Sequence, residues 1–511
     1  MIPAADRNLR SVPGVLAMGL LLALAGCRSP KRISPSSRPT SRASQPPPDD
    51  RPSSVSRPAP SPPENRPDWI EAGPMLGHVG PGEARVWLRL PEGSRLDAEA
   101  VQEGRALPRP EIADLGDRCL VLHVGSLLPG TETRVLLRPD PARGEEDTRV
   151  LRFRTAPRPG GRGIIRLAFG SCANLGLYRS APVFQAVADL RPDCMLMLGD
   201  NIYYIVGDGS RRNWNTTGPD GDWNHEDRML ARQLALRRDP FFLTMASRVP
   251  VYAIWDDHDF GPNNSGAAFP HKDTALRVFQ KVWANPGYGA PGVPGVFGSF
   301  RRGPVEVFLM DDRYYKSVRG PAPGEERPGR GRIPNGGAED STIWGAQQFT
   351  WLCEGLKRST AAVKIVANGT QLLSLENRGE GHWREARGEL ERLIAFLVEH
   401  RIGGVVFLSG DRHFSELMRI RRKDGAALLE MTSSPLQQGR GVGPLKGHGN
   451  PARIWGATGN GFGLLTIEVE GPAKGRLIFE MRDARGRLVS AGGRPCRSEF
   501  PLADLLPRAP R

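Results

Sequence analysis

The sequence lacks the short motifs that mark several large enzyme classes. Its 511 residues contain no P-loop, no dinucleotide-binding glycine motif between a strand and a helix, and no Gly-x-Ser-x-Gly elbow. Nucleotide-driven and serine-hydrolase functions therefore have no residues to support them.

The chain also lacks long apolar runs, apart from one near its start that is too short to span a bilayer as a permanent helix. Arg7 and Arg10 precede this run, Val15–Ala25, and Cys27 follows a Leu-Ala-Gly sequence directly. This order is typical of a bacterial lipoprotein signal over residues 1–27, with Cys27 as the acylated residue. The alternative is an ordinary secretory signal in which Cys27 is incidental. We expect export in both cases, and a membrane-anchored lipoprotein of the bacterial cell envelope or periplasm in the first.

Cysteine is scarce, with six residues at positions 27, 119, 172, 194, 353 and 496. Export would permit disulfides, but the spacing indicates no pairing. Cys194 and Cys353 lie in apolar patterns that are typical of reduced core thiols.

Acidic residues are fewer than basic ones, and the formal net charge is +14. We attribute most of this charge to arginines scattered through loops and termini. The alternative is attraction to anions such as phosphate esters or an anionic wall polymer. A nucleic-acid binder is a further candidate, but no interleaving of aromatic and basic residues supports it, and we expect no stable nucleic-acid binding.

Composition divides the rest of the chain into three parts. Residues 28–66 are dominated by Ser, Pro and Arg, which predicts a disordered linker. Short strand-like runs over residues 67–157 favour a small fibronectin-III-like β-sandwich domain. Strands alternate with amphipathic helices over residues 163–434, which predicts an α/β core with mainly parallel pairing.

Alternating apolar positions over Gly461–Leu488 suggest a hairpin that completes a catalytic domain over residues 163–500. Within it, Gly207–Asp222 and Arg319–Gly337 are expected to be surface loops over the crevice.

Four apolar runs in the third part are each followed by side chains of the metal-binding type. The runs are Ile164–Phe169, Met195–Leu198, Val249–Ile254 and Gly404–Leu408. The segments that follow them are Gly170–Cys172, Gly199–Tyr203, Trp255–Asp259 and Ser409–His413. Because the carboxyl ends of strands in an open α/β sheet meet at one crevice, the four segments should form one cluster. Hard oxygen ligands with some nitrogen suit a dinuclear metal centre, and such centres mostly hydrolyse phosphate esters.

The second of these segments combines a carboxylate with a phenol. Asp200 can bridge two ions, and Tyr203 follows closely enough to place its phenol near the same ion. Phenolate ligation favours a ferric ion. Taken alone, the pair has an alternative interpretation, in which Tyr203 packs in the core and Asp200 caps a helix.

The third segment, Trp255–Asp259, contains three carboxylates and a histidine. Such carboxylates repel one another unless cations neutralise them. Asp257 could bind a metal directly, and His258 is either a ligand or the proton donor to the leaving oxygen. Asn263 and Asn264 could supply neutral oxygen ligands.

The remaining candidates follow three other strands. Asp411 and His413 can face one centre, and Arg412 is either a phosphate clamp or part of a structural ion pair. Cys172 is a soft ligand, although a single cysteine after a strand is more often a core thiol. Asn368 could give its amide oxygen to a metal or satisfy a turn.

Five ordered motifs between about Gly163 and Ser434 resemble the alkaline phosphatase D (PhoD) family of calcineurin-like metallophosphoesterases. They are Gly170–Cys172, Gly199–Tyr203, Trp255–His258, Asp312–Tyr314 and Ser409–His413. The resemblance implies a four-layer metallophosphatase sandwich, with two sheets flanked by helices, and an iron(III)–calcium centre. The iron ligands that it implies are Cys172, Asp200 and Tyr203. The ligands that it implies for the second metal are Asp200, Asp257, Asp411 and either Asn368 or His413.

The expected function is a secreted, membrane-anchored phosphoesterase that uses a metal-activated hydroxide. His258 and Arg412 are the expected catalytic residues. The expected substrate is a phosphate diester or monoester, including a wall polymer or a phospholipid. The alternative is a non-catalytic envelope adhesion or scaffolding protein with a degenerate phosphatase core. The sequence indicates no oligomeric state.

Overall fold

The structure is a computed structural model that describes residues 68–508, apart from 142–143, 145–146, 176–181, 206–220, 319–339, 377–379 and 439–440. The predicted signal with Cys27 and the predicted linker over residues 28–66 lie outside the described residues. The predicted loop 319–337 and nearly all of the predicted loop 207–222 also lie outside them. Within the described ranges, no helix combines the length and the apolar composition that a membrane span needs.

Eight short strands form two four-stranded antiparallel sheets at the start of the described chain. They are β1 (Ala72–Val79), β2 (Ala84–Arg89), β3 (Arg95–Gln102), β4 (Arg105–Ala106), β5 (Glu111–Asp114), β6 (Cys119–Val124), β7 (Glu132–Asp140) and β8 (Arg149–Arg154). The strand orders are β1-β2-β6-β5 and β4-β3-β7-β8. Buried and exposed residues alternate along β7, which gives its sheet one apolar face. Leu76 and Leu122 of the first sheet share a buried cluster with Val135 and Leu151 of the second, so the two sheets face each other.

The remaining strands form two larger sheets and one small hairpin. They are β9 (Gly163–Gly170), β10 (Cys194–Leu198), β11 (Val251–Ile254), β12 (Gly298–Arg302), β13 (Val305–Leu309), β14 (Val363–Ala367), β15 (Val405–Ser409), β16 (Ser415–Arg421), β17 (Ala427–Thr432), β18 (Gly443–Pro444), β19 (Arg453–Thr458), β20 (Gly461–Gly471), β21 (Lys474–Asp483), β22 (Ser490–Ala491), β23 (Arg494–Pro495) and β24 (Arg497–Pro501). The helices are α1 (Val183–Leu190), α2 (Glu226–Leu236), α3 (Pro240–Ala246), α4 (Asp257–Phe260), α5 (Lys272–Val282), α6 (Gly345–Arg358), α7 (His382–Glu385) and α8 (Arg387–Glu399).

The two larger sheets are mixed as a whole, but the prediction of mainly parallel pairing is confirmed for the described part of residues 163–434, where five of the seven strand pairs are parallel. Their strand orders are β11-β10-β9-β20-β21-β24 and β12-β13-β14-β15-β17-β16-β19-β18. Strands β9 to β11 pair in parallel, as do β13, β14, β15 and β17. Their other neighbours pair antiparallel, because most strands after β15 return through short turns instead of helical crossovers.

The two larger sheets pack face to face. Leu167 of β9 and Ile365 of β14 belong to one buried cluster. On the other face of the second sheet, Phe407 packs in a cluster with Leu352 of α6 and Leu393 of α8. Cys194 and Cys353 are buried free thiols, as predicted.

The first of the two small sheets packs on the sheet that carries β10 and β11. Trp87 of β2 belongs to the same buried cluster as β9, and its Nε1 donates to the carbonyl oxygen of Lys281 at 2.9 Å. Tyr252 of β11 accepts a hydrogen bond from the backbone N–H of Val79 at 3.1 Å. The small sheets are therefore fixed against the α/β part by buried contacts.

Candidate active site

The turns that follow β9, β10, β11 and β15 come together at one edge of the structure. Gly199 has a φ of +90°, and a Cβ on it would lie 2.4 Å from the Cβ of Asp256. A Cβ on Gly410 would lie 2.5 Å from the Cβ of Ser171. Glycine at these two positions therefore lets turns from different strands lie in contact, which brings their polar side chains together.

One group of side chains surrounds a single oxygen of Asp200. Ligand atoms of Cys172, Asp200 and His413 all lie within 4.8 Å of one another. Cys172 Sγ donates to Asp200 Oδ2 at 3.4 Å, and the Tyr203 hydroxyl donates to the same oxygen at 2.9 Å. Turns from three strands thus place a thiol, a carboxylate, a phenol and an imidazole in one group.

A second group shares Asp200 with the first. Ligand atoms of Asp200, Asp257 and His258 lie within 4.8 Å of one another. Asp200 Oδ1 accepts from the backbone N–H of His258 at 3.1 Å, and Asp257 Oδ2 accepts from the backbone N–H of Asn264 at 2.7 Å. Asp200 therefore occupies the position that a carboxylate bridging two cations requires.

Nearly all the predicted site residues line one cavity of about 310 Å³. Its lining residues are Asp200, Tyr203, Asp257, His258, Asn263, Asn264, Asp411, Arg412, His413 and Gln438. Cys172 is fully buried and contacts Asp200.

The structure does not bring Asn368 to this cavity. Its Oδ1 accepts from Trp344 Nε1 at 2.9 Å, and its Nδ2 donates to the carbonyl oxygen of Thr370 at 2.8 Å. Asn368 is fully buried, and its amide holds the turn after β14 against Trp344. The amide that was a candidate ligand satisfies a turn, which was its alternative role.

Burial and mutual repulsion make this cluster unfavourable for bare negative charge. Burial, together with the charges of Asp257, Asp259 and Asp411, raises the pKa of Asp200 well above its usual range. Burial raises the pKa of Asp411 to about 7, although Arg412 opposes the shift.

The two weak acids beside Asp200 are affected in the same way. Burial and the charge of Asp200 raise the pKa values of both the Cys172 thiol and the Tyr203 phenol. Cations would reverse these shifts, since a bound metal ion stabilises thiolate, phenolate and carboxylate. The donor set of the cavity therefore fits metal ions.

Backbone strain is concentrated at the same place. The residues in the left-handed region with side chains at the site are Cys172 (φ 60°), Asp200 (φ 50°), Asn264 (φ 62°), Asp411 (φ 65°) and His413 (φ 55°). Non-glycine residues in this region cost about 1 kcal/mol or more each, and they cluster at functional sites where the surroundings hold them in place.

Two residues that sequence patterns did not single out support the cluster. Asp259 accepts from the backbone N–H groups of Asp200 at 3.2 Å and Asp256 at 2.7 Å, so it joins the turns after β10 and β11. Gln438 donates from Nε2 to the Tyr203 hydroxyl at 2.7 Å. Asp259 lies within a segment already marked by its carboxylates, but Gln438 follows no strand directly and belongs to no motif.

Two arginines near the cavity have different environments. Arg313 is fully buried, bonds to Asp256 and lies 2.6 Å from Glu380, so it neutralises carboxylates behind the cavity. Arg412 lines the cavity, and its Nη2 lies 3.7 Å from Oε2 of Glu376. Arg412 can therefore be held by a carboxylate while its guanidinium faces a bound anion.

Comparisons with known proteins agree with this geometry. Residues 167–454 match the model of the PhoD-like phosphatase family. The chain is 25% identical over 305 residues to alkaline phosphatase D of Bacillus subtilis (strain 168), a match that covers 53% of this chain and 50% of that protein. The chain thus spans about half the length of the curated relative that it matches.

Solved structures share the fold at low sequence identity. A structure of PhoD is similar with a TM-score of 0.65 at 18% identity, covering 85% of this chain and 90% of that one. The purple acid phosphatase PPD1 from yellow lupin (Lupinus luteus) seeds is similar with a TM-score of 0.55 at 12% identity, covering 83% of this chain and 73% of that one. Since the family model covers more than half of the sequence, including the turns that build the cavity, the chain belongs to the PhoD-like phosphatase family.

Proposed function

We propose that the protein is a metal-dependent hydrolase of phosphoric esters that acts at the cavity around Asp200. The observation that carries this proposal is that Asp200 belongs to two clusters of side chains that could each hold a metal ion. A carboxylate common to two sites is what a dinuclear phosphoesterase requires. Membership of the PhoD-like phosphatase family supports the same reaction class.

The side chains divide into two sets by chemistry. Cys172, Tyr203 and His413, with Asp200, would hold one ion, and the thiol and phenol in this set suit iron(III). Asp257 and Asp411, again with Asp200, would hold a second ion by oxygen alone, which suits calcium. When bound, such a centre supplies Lewis acidity and lowers the pKa of water. Asn368 would act only indirectly, through the turn that it holds.

Arg412 and His258 would act on the phosphate ester itself. The forked guanidinium of Arg412 lines the cavity and would bind the non-bridging oxygens of the phosphate. His258 stacks on Tyr203 with ring centroids 4.5 Å apart, and its Nε2 lies 4.0 Å from Oδ1 of Asp257. The stacked imidazole would give a proton to the leaving alkoxide. The open cavity is compatible with diesters and with monoesters.

Elemental analysis of the purified protein and its visible spectrum test the metal assignment together. We expect iron and calcium, and a charge-transfer band that Tyr203→Phe removes. Unchanged colour and iron content in Tyr203→Phe would contradict the phenolate assignment.

Hydrolysis of bis(p-nitrophenyl) phosphate and p-nitrophenyl phosphate tests the reaction. Loss of a residue that only orients a metal ligand costs roughly 10- to 100-fold in activity, so Asp200→Ala, which removes a ligand itself, should lose more than about 100-fold. Asp227→Ala, at an exposed position on α2, is the matched control and should leave activity unchanged. If the metal-loaded wild-type chain is no more active than the Asp200→Ala variant, the alternative function, a non-catalytic envelope protein, is favoured.

We also infer the finer fold and the location predicted from the sequence. The facing sheets and the helices α6 and α8 support a four-layer sandwich, and the two small sheets support a fibronectin-III-like domain. The Leu-Ala-Gly-Cys sequence that ends at Cys27 supports export and lipid anchoring. Mass spectrometry of the mature N-terminus tests this, since an unmodified Cys27 in the mature chain would exclude the anchor.

A further inference from the structure

A groove of about 690 Å³ lies between the small sheets and the α/β part, away from the candidate active site. The charged residues that line it are Arg152, Arg154, Arg191, Arg248, Arg302, Glu132 and Asp193. Arg191 precedes β10, and Arg248 precedes β11, whereas Asp200 and Asp257 follow the same two strands. A strand of five residues spans about 17 Å, so the groove and the candidate active site lie at opposite ends of these strands.

The acidic residues of the groove neutralise only part of its positive charge. Asp193 Oδ1 lies 3.3 Å from Nε of Arg302, which is buried and donates also to the carbonyl oxygen of Val79. Arg152, Arg191 and Arg248 are exposed, and none of them forms an ion pair with a residue in the described ranges. Three cations of the groove therefore have no carboxylate partner there.

The strand register places further like charges together. Arg134 of β7 and Arg152 of β8 are direct cross-strand partners, and both are exposed. Like charges directly opposite each other destabilise a sheet. Burial, and then the charge of Arg248, lower the pKa of Arg149 as well. An anion bound in the groove would relieve this repulsion.

Helix ends explain only some of these cations. Arg191 and Arg248 follow the carboxyl ends of α1 and α3, where positive charge is favourable. The opposed pair Arg134 and Arg152 lies on strands, so helix ends do not account for it. Arg191 also occupies a left-handed position, with a φ of 48°, where glycine or asparagine is usual.

We propose that this groove is a second, non-catalytic binding site for a polyanion that carries several phosphate groups. Planar guanidinium groups bind phosphate through two parallel hydrogen bonds, and a groove lined by five of them suits a chain of phosphates better than a single ion. The volume is in the range of ordinary ligand sites. The concave shape favours a soluble chain over a flat lipid surface. The proposal does not depend on the hydrolytic function, because none of these residues lines the cavity around Asp200.

Binding of inorganic polyphosphate, measured by isothermal titration calorimetry on the full mature chain, tests the proposal. The groove variant combines Arg152→Gln, Arg191→Gln and Arg248→Gln. Its control combines Arg105→Gln, Arg421→Gln and Arg485→Gln, which makes the same change of charge at exposed positions outside the groove. All titrations are repeated in the Asp200→Ala background, which removes binding that depends on the catalytic metals.

We expect the groove variant to weaken binding by at least about 10-fold, since it removes three guanidinium groups that would form charge-assisted hydrogen bonds with phosphate. The control should bind within about 3-fold of the wild-type chain, and Asp200→Ala should leave binding unchanged. Both triple variants should keep the wild-type melting temperature and rate of bis(p-nitrophenyl) phosphate hydrolysis. Equal losses in the two triple variants, or unchanged binding by the groove variant, would overturn the proposal. Binding to vesicles of phosphatidylglycerol without binding to polyphosphate would overturn it in favour of a membrane-facing surface.

Discussion

Tyr203 and Cys172 both donate hydrogen bonds to one atom, Oδ2 of Asp200, at 2.9 and 3.4 Å. Both donors are weak acids, and burial with the charge of Asp200 raises the pKa of each. The metal-free cluster therefore keeps protons on the thiol and the phenol at neutral pH. Occupation by a cation must displace these protons, because the deprotonated groups are the ligands.

Metal uptake should therefore release protons, and affinity should rise with pH. Calorimetric titration of the metal-free chain in buffers of different ionisation enthalpy gives the number of protons released. Tyr203→Phe should release about one proton fewer than the wild-type chain on binding iron(III). If both chains release the same number of protons, the phenol stays protonated on metal binding and is not a ligand.

Asp259→Asn should loosen the site without removing a ligand. Asp259 accepts from the backbone N–H groups of Asp200, Asn201 and Asp256 and from Nδ2 of Asn201. An amide in its place would turn an N–H group towards these donors. We expect metal affinity to fall by roughly 10- to 100-fold, as for other residues that orient ligands. Competition with a metal chelator measures this, and Asp227→Asn at an exposed position is the control.

Asn368→Ala distinguishes the two roles given to this residue by the sequence. Its amide oxygen accepts from Trp344, and its amide nitrogen donates to Thr370. Loss of these buried hydrogen bonds should lower the free energy of unfolding by about 1–3 kcal/mol, while the metal content stays unchanged. Denaturant unfolding and elemental analysis measure the two quantities. Depletion of one metal per chain would instead restore Asn368 as a ligand.

The contrast between Asp200 and Asn368 shows what the sequence alone can predict. Both follow apolar strands, and strand ends converge, so both belong near the crevice. Sequence position gives the end of the strand but not the direction of the side chain. The left-handed φ of Asp200 turns that residue into the cluster, whereas Trp344, directly before α6, donates a hydrogen bond to the amide of Asn368. Gln438 could not be predicted, because it comes to Tyr203 through tertiary packing alone.

The same limit applies to the fold. The apolar runs Met195–Leu198 and Gly404–Leu408 are visible as local patterns in the sequence, and the structure confirms that they correspond to the buried strands β10 and β15. Sheet order depends on how distant segments pair. Strands β20 and β21 form the predicted hairpin, but β20 also pairs antiparallel with β9, next to the parallel strands. No local pattern in the sequence indicates that pairing.

Arg412→Ala should lower kcat/KM for phosphate esters and leave the metal content unchanged. Arg412 lines the cavity, and Glu376 lies 3.7 Å from it. Removal of one group that stabilises the charge developing in the transition state lowers the catalytic rate roughly 100- to 1,000-fold. We therefore expect Arg412→Ala to lower kcat/KM by a factor of that order. Arg412→Lys should recover little, because an ammonium group cannot form two parallel hydrogen bonds with phosphate.

Glu376→Gln tests whether this carboxylate positions Arg412. Oε1 of Glu376 lies 3.0 Å from Nδ1 of His448, so the carboxylate is itself held in place. We expect a rise in KM with a smaller change in kcat, and unchanged iron and calcium content. Glu391→Gln, which affects an exposed ion pair with Arg387, is the control. An equal fall of kcat in Glu376→Gln and in Glu391→Gln would contradict a positioning role for Glu376.

Glu430 gives a prediction about the dependence of stability on pH. This residue of β17 is fully buried and accepts from the backbone N–H of Leu372 at 2.9 Å and from Ser409 Oγ at 2.6 Å. Burial raises its pKa to about 7 from the ordinary 4.5, although these hydrogen bonds oppose the shift. Because the pKa is higher in the folded than in the unfolded state, the protonated carboxyl of Glu430 stabilises the folded protein. This stabilisation is complete below pH 4.5 and is lost as the pH rises through 7.

The ionised carboxylate should therefore cost the folded protein about 3 kcal/mol at pH 8 relative to pH 4.5. Glu430→Gln removes this titration, so the free energy of unfolding of the variant should improve relative to the wild-type chain by up to that amount over the same interval. Urea unfolding of both metal-free chains at pH 4.5, 6 and 8 measures the difference, with Glu391→Gln as a control that should show no such trend. A difference between variant and wild type that stays constant over this interval would mean that Glu430 titrates near its ordinary pKa. The three donors around its carboxylate, which are the backbone N–H groups of Leu372 and Leu373 and the hydroxyl of Ser409, would then outweigh its burial.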